Sequence, residues 1–209
     1  MLKLIACLLM LIDHIGIVFF PEIIIFRVIG RLSFPIFAHQ VAVSFDKTSN
    51  QKKYLKRLFV WGLISQIPFS LIFGDRLNVL FSFFIAAVIL FAIKDKLTGL
   101  RAFLCISVGL IVAESLKVDY GFFGVSMVLI FYYFEHFKNH RALKYAVLSI
   151  FSILYGLANS FLIEIFGVLS AVFMDFAKLP EFKRNKFNKY FFYVFYPVHL
   201  LVLWTLHRL

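Results

Sequence analysis

Apolar runs of roughly bilayer length follow one another along almost the whole chain, and they limit the fold more than any single residue does. They cover about 2–20, 23–45, 54–73, 78–93, 101–117, 121–137, 141–158, 160–177 and 189–207. A helix needs about 20 apolar residues to cross the hydrocarbon core. The pattern predicts an all-α, polytopic integral membrane protein with about nine transmembrane helices, in a range of eight to ten. Several runs are short for a crossing, which leaves room for a re-entrant segment. Pro21, Gly74, Gly99 and Pro180 mark turns between runs. With no linker, low-complexity tract or repeat, residues 1–209 read as a single transmembrane domain. The first run is read as a retained helix rather than a signal peptide, because Asp13 and His14 interrupt it and no small-residue cleavage site follows.

Composition closes the alternatives. Hydrophobic residues make up 62% and charged residues 16%, against about 45–50% and 25% in soluble domains. A water-soluble globule, a disordered chain and a disulfide-stapled secreted module are excluded. Cys7 and Cys105 lie inside apolar runs with no metal or redox spacing and read as buried thiols.

The net charge of +11 follows the loops, which argues against nucleic acid as a partner. Connections 46–57, 94–101, 138–144 and 178–189, with Lys3, hold seventeen of the 22 basic residues. The intervening connections and the C-terminus hold only Arg76, Lys117 and Arg208. Nine helices with a cytoplasmic N-terminus put all five of these basic clusters on the cytoplasmic face.

Ionisable residues within apolar runs are the leads to chemistry, since each costs roughly 2.5–3.5 kcal/mol at mid-membrane unless it has a partner or a wet cavity. They are Asp13, His14, Arg27, Arg31, His39, Glu114, Glu164 and His199, with uncharged Gln66 and Asn78. On the nine-helix topology most fall in the outer half of the membrane. Arg27 and Arg31 are four apart and share a helical face. Two guanidinium forks side by side suit a phosphate or carboxylate ligand; equally, they can neutralise Asp13, Glu22, Glu114 or Glu164. Asp13 and His14 point about 100° apart on a helix. A basic His14 therefore needs its orienting partner from another helix, while Asp13 answers an arginine. Pro197 frees a carbonyl one turn earlier, so a kink could bring Tyr196 and His199 to a cavity, or serve packing alone. His136 and His140 have a metal-compatible spacing, but Lys138 and Arg141 beside them oppose a cation, and no metal is expected. Walker A, GxSxG and Rossmann signatures are absent.

Seven short blocks add a resemblance. Leu11-Ile-Asp-His-Ile-Gly16 and Arg27-Val-Ile-Gly-Arg-Leu-Ser-Phe-Pro-Ile-Phe37 are similar to the first two helix signatures of the TraX family of pilin acetylases. Lys53-Tyr-Leu-Lys-Arg-Leu58, Ile64-Ser-Gln-Ile-Pro-Phe69, Asn78-Val-Leu-Phe81, Asp119-Tyr-Gly-Phe-Phe-Gly124 and Phe195-Tyr-Pro-Val-His199 follow in order. The resemblance implies a multi-pass enzyme of the bacterial inner membrane, kin to the acyltransferases that modify sugars. It would move acetyl from acetyl-CoA to an amine, as on a pilin N-terminus, or to a hydroxyl, at the outer side. Pilin, another cell-surface peptide or a glycan is the implied acceptor. His14 is then the candidate general base, with Asp13 and Arg31 in the catalytic set and Arg31 or Tyr120 as oxyanion donor. Arg27, Gln66, Asn78, Asp119, Tyr120, Tyr196 and His199 are the implied substrate contacts. Gln66 stands where many relatives carry Glu. The rival expectation is a small-solute or proton-coupled transporter using the same charges as a relay; an inactive membrane scaffold is a third.

Overall fold

The computed structural model describes residues 1–95, 98–136, 140–159, 162–177 and 186–209, and the side chains of His136, Leu162 and residues 186–189 lie outside the description. Pro180 and much of the connection 178–189 fall there too. Helices α1 (Leu2–Phe19), α2 (Ile24–Arg31), α3 (Ser33–Asp46), α4 (Gln51–Phe73) and α5 (Val79–Ile93) are followed by α6 (Leu100–Ser115), α7 (Gly121–His136) and α8 (Arg141–Ala158). A 3-10 segment (Leu162–Phe166) then leads into α9 (Gly167–Phe176) and α10 (Lys186–Arg208).

Each apolar run of the sequence has a helical counterpart. Five segments are long and apolar enough to cross a membrane: Leu2–Phe19, Ile24–Asp46, Gln51–Phe73, Arg141–Ala158 and Tyr190–Arg208. Val79–Ile93 and Gly121–Glu135 are apolar but shorter. Outward-facing aliphatics such as Ile67 on α4, Ile111 on α6 and Leu154 on α8 are at least 60% exposed. So dense an apolar surface suits lipid rather than water.

The second run is not one unbroken helix. Pro35 has no N–H to give the Arg31 carbonyl, and the chain turns at Leu32 between α2 and α3. Pro68 and Pro197, by contrast, are carried inside α4 and α10.

The chain forms two compact units, Met1–Phe37 with Asn139–Leu209, and Ala38–Lys138. In the first, α1 and α2 make an antiparallel hairpin around Pro21. Its crossing is close because Gly16 faces Phe26 and Gly30 faces Asp13, and a Cβ on either glycine would overlap its neighbour. Gly30→Ala is therefore expected to cost about 1–3 kcal/mol through overpacking, read as a lower unfolding midpoint in detergent. An unchanged midpoint would mean the crossing is looser than described. Helix α10 runs parallel to α1, with Lys3 over the Phe192 ring, His14 on His199 and Phe19 edge-on to His207.

The second unit packs the remainder of α3 with α4–α7. Phe45 of α3 lies edge-on to Tyr54 of α4 and Tyr132 of α7. A short parallel bridge, Leu77 to Val118, ties the α4–α5 and α6–α7 turns together.

Candidate active site

Helical geometry sends the neighbours Asp13 and His14 to different partners, as their 100° separation requires. Asp13 turns to α2. Its Oδ1 accepts from Arg27 at 3.0 Å, and Oδ2 lies 3.6 Å from Arg31. Arg31 also donates to Glu164 Oε1 at 2.7 Å, bringing the 3-10 segment against the α2–α3 break. Two guanidinium groups thus face two carboxylates, with no net charge. Asp13, Arg31 and Glu164 are each about 5–6% exposed, so the cluster is a buried network rather than a surface ion pair. Of the two sequence readings for the arginines, mutual neutralisation is the arrangement present. Glu22 is exposed, and Glu114 sits in the other unit, where its carboxylate accepts from the Phe122 N–H at the start of α7.

His14 turns to α10. Its Nδ1 is 2.8 Å from His199 Nε2, across 185 residues of chain. The rings are coplanar within 3° with centroids 5.0 Å apart, which at that nitrogen–nitrogen distance sets them edge to edge. His199 Nδ1 is 2.8 Å from the Phe195 carbonyl oxygen. A carbonyl only accepts, so His199 Nδ1 carries a hydrogen. With both rings neutral, His199 Nε2 then accepts from His14 Nδ1–H, and the lone pair of His14 sits on Nε2. One backbone carbonyl sets both tautomers. Phe195 stacks on His199 at 4.8 Å, and buried Tyr196 lies 5.7 Å from it, so α10 fixes the second ring on several sides.

The other implied contacts lie in the second unit. Gln66 Oε1 accepts from both the backbone N–H and the side-chain amide of Asn78, while Gln66 Nε2 donates to the Arg76 carbonyl and the Ser70 hydroxyl. Asn78 also donates to the Gly62 carbonyl and caps α5 by accepting from Leu80 N–H. These two amides are occupied in pinning the α4–α5 turn. An amide serves that purpose where a carboxylate could not, because Gln66 donates as well as accepts. Asp119 donates its N–H to the Leu77 carbonyl at 2.7 Å and its own carbonyl accepts from Ser82, while Tyr120 has a φ of 63° in the same turn.

Two polar pairs escaped the sequence reading. Lys144, counted there among loop cations, is buried and bonds Asp175 at 2.7 Å, and Tyr145 donates to the same carboxylate at 2.6 Å. Asp175 near the end of an apolar run was the signal, since a carboxylate there calls for a cation. His39 Nε2 meets Glu135 at 3.3 Å. The side chain of His136 lies outside the described residues, and among those described no three His, Cys, Asp or Glu come together.

Five segments long and apolar enough to cross a membrane, with a buried ionic network in the first unit, make this a helical membrane protein. The family model described as TraX protein matches residues 1–207. The chain belongs to the TraX family. It is 28% identical over 217 residues to Protein TraX of Escherichia coli, covering 98% of this chain and 85% of that protein. It is 26% identical over 235 residues to the probable fimbrial assembly protein FimC, serogroup H1, of Dichelobacter nodosus, covering 97% and 92%. An uncharacterised Rickettsia prowazekii (strain Madrid E) protein is 27% identical over 150 residues, covering 68% of this chain and 58% of that protein's length. No solved structure matches.

Proposed function

We propose that the protein is an acetyltransferase of the bacterial inner membrane that takes acetyl from acetyl-CoA and passes it to an amine or hydroxyl at the outer side. The observation that carries this reading is the directed chain from the Phe195 carbonyl through His199 to His14, which puts the lone pair of His14 on Nε2. A general base needs a defined tautomer and an orienting partner.

His14 Nε2 takes the proton of the acceptor, whose nitrogen or oxygen attacks the thioester carbonyl. The carbon–sulfur bond breaks, and coenzyme A leaves as the thiolate, which takes the proton held on His14 Nε2 and so restores the base. His199 is a positioning residue. Asp13, Arg31 and Glu164 hold α1, α2 and the 3-10 segment together. Arg31 directs its terminal nitrogens at two carboxylates, so Arg27, with 23% of its side chain exposed, is the better placed of the pair to face an acceptor or the developing oxyanion.

The topology proposed is nine passes with the N-terminus in the cytoplasm. The parallel course of α1 and α10 supports an odd number of passes, and the basic loops support the orientation. The likeness to the Dichelobacter protein, a probable fimbrial assembly protein, supports an acceptor of the pilus-subunit kind.

Purified protein given isotope-labelled acetyl-CoA and a panel of pilin N-terminal peptides, other surface peptides and glycans tests the reading by mass spectrometry. Label is expected on one class of acceptor, at its amine or hydroxyl. Hydrolysis alone, or no transfer to any class, would overturn the assignment.

A further inference from the structure

The first two turns of α4 carry Lys52, Lys53, Lys56 and Arg57. Positions 53, 56 and 57 share one helical face by i, i+3 and i+4 spacing. Among the described residues, none of the four forms an ion pair. For the three exposed lysines, orientation by solvated loop cations is a sufficient account.

Arg57 does not fit that account. Its Nε is buried and has no hydrogen-bond partner among the described residues. The guanidinium lies over the Tyr54 ring at 5.5 Å, and Tyr54 is itself held edge-on by Phe45. It is a planar cation fixed on an aromatic shelf, with a donor that lacks an acceptor. A buried N–H in that state costs stability that an acceptor would restore. Lys94 reaches the same end of α4, its Nζ 3.1 Å from Gln51 Oε1. Fork donors and point charges gathered here, none of them in an ion pair among the described residues, suit the oxygens of a phosphate ester.

We infer that the start of α4 is a phosphate-ester site, in which Arg57 supplies the fork and Lys53 and Lys94 supply further charge. The choice of ligand rests on the acetyl-transfer reading: the ester is the nucleotide end of acetyl-CoA, on the face where the donor is found. An anionic lipid headgroup offers the same chemistry.

The test measures equilibrium binding of the adenosine bisphosphate portion of coenzyme A to the full chain in nanodiscs of neutral phosphatidylcholine. Saturable binding is expected, weaker by about tenfold or more in Arg57→Gln, and weaker with a reduced salt dependence in Lys53→Gln. Lys53 is exposed, so its variant answers the question even if Arg57→Gln fails to fold. Should the native protein instead ignore the nucleotide but retain phosphatidylglycerol in native mass spectrometry, with loss in Arg57→Gln, the phosphate ester is a lipid's. If both variants bind nucleotide and lipid like the native chain, or the native chain binds neither, the site does not exist. Nucleotide binding that persists in a protein unable to transfer acetyl would keep this site and overturn the enzymatic reading alone.

Discussion

His14→Gln is expected to lower acetyl transfer by about a hundred- to ten-thousandfold, the usual contribution of a positioned base, while the unfolding midpoint stays close to that of the native chain. The amide fills similar space but cannot take a proton at neutral pH. His199 separates positioning from packing. His199→Ala removes the acceptor that fixes the His14 tautomer and should cost at least about tenfold in kcat. His199→Gln, whose carbonyl oxygen can still accept from His14 Nδ1–H, should restore part of that loss and leave KM unchanged. A purely structural role for His199 would show no difference between alanine and glutamine once stability is matched. Unaltered turnover in His14→Gln removes the base assignment altogether.

Arg31→Met is expected to destabilise the protein by about 3–5 kcal/mol, the cost of stranding a buried carboxylate after its partner is removed. Glu164 loses its 2.7 Å donor, whereas Asp13 keeps Arg27. The double variant Arg31→Met, Glu164→Met should recover most of the loss, because a well-packed apolar pair replaces a buried ion pair at little net cost. Denaturant titration in detergent for the two single variants and the double gives the coupling directly. Additive losses would mean that the two side chains do not depend on each other.

Much of the helical layout could be read from hydrophobic runs, because lipid leaves the backbone few alternatives to a helix. The break at Leu32 was also within reach, since Pro35 withholds a hydrogen bond from the Arg31 carbonyl. The divergence of Asp13 and His14 follows from helical angle alone, and so does their need for separate partners. Which residues those partners are does not follow. His199 and Glu164 meet α1 and α2 across 185 and 133 residues, and helical periodicity carries no information over such separations. Gln66 shows the opposite difficulty. A polar residue in an apolar run advertises a need for hydrogen bonds, yet this one meets it with a turn of its own unit. Lys144 was hidden for a related reason: a lysine at the head of a helix resembles every other loop cation until Asp175 is brought beside it.

The histidine pair has a consequence for biosynthesis. The two rings lie 185 residues apart, so a growing chain that holds His14 but not yet His199 has an imidazole whose tautomer the second ring does not yet set. The competent pair comes into being only when α10 has entered the bilayer alongside α1. Chains that end before α10 therefore lack the second ring, however well their earlier helices are inserted.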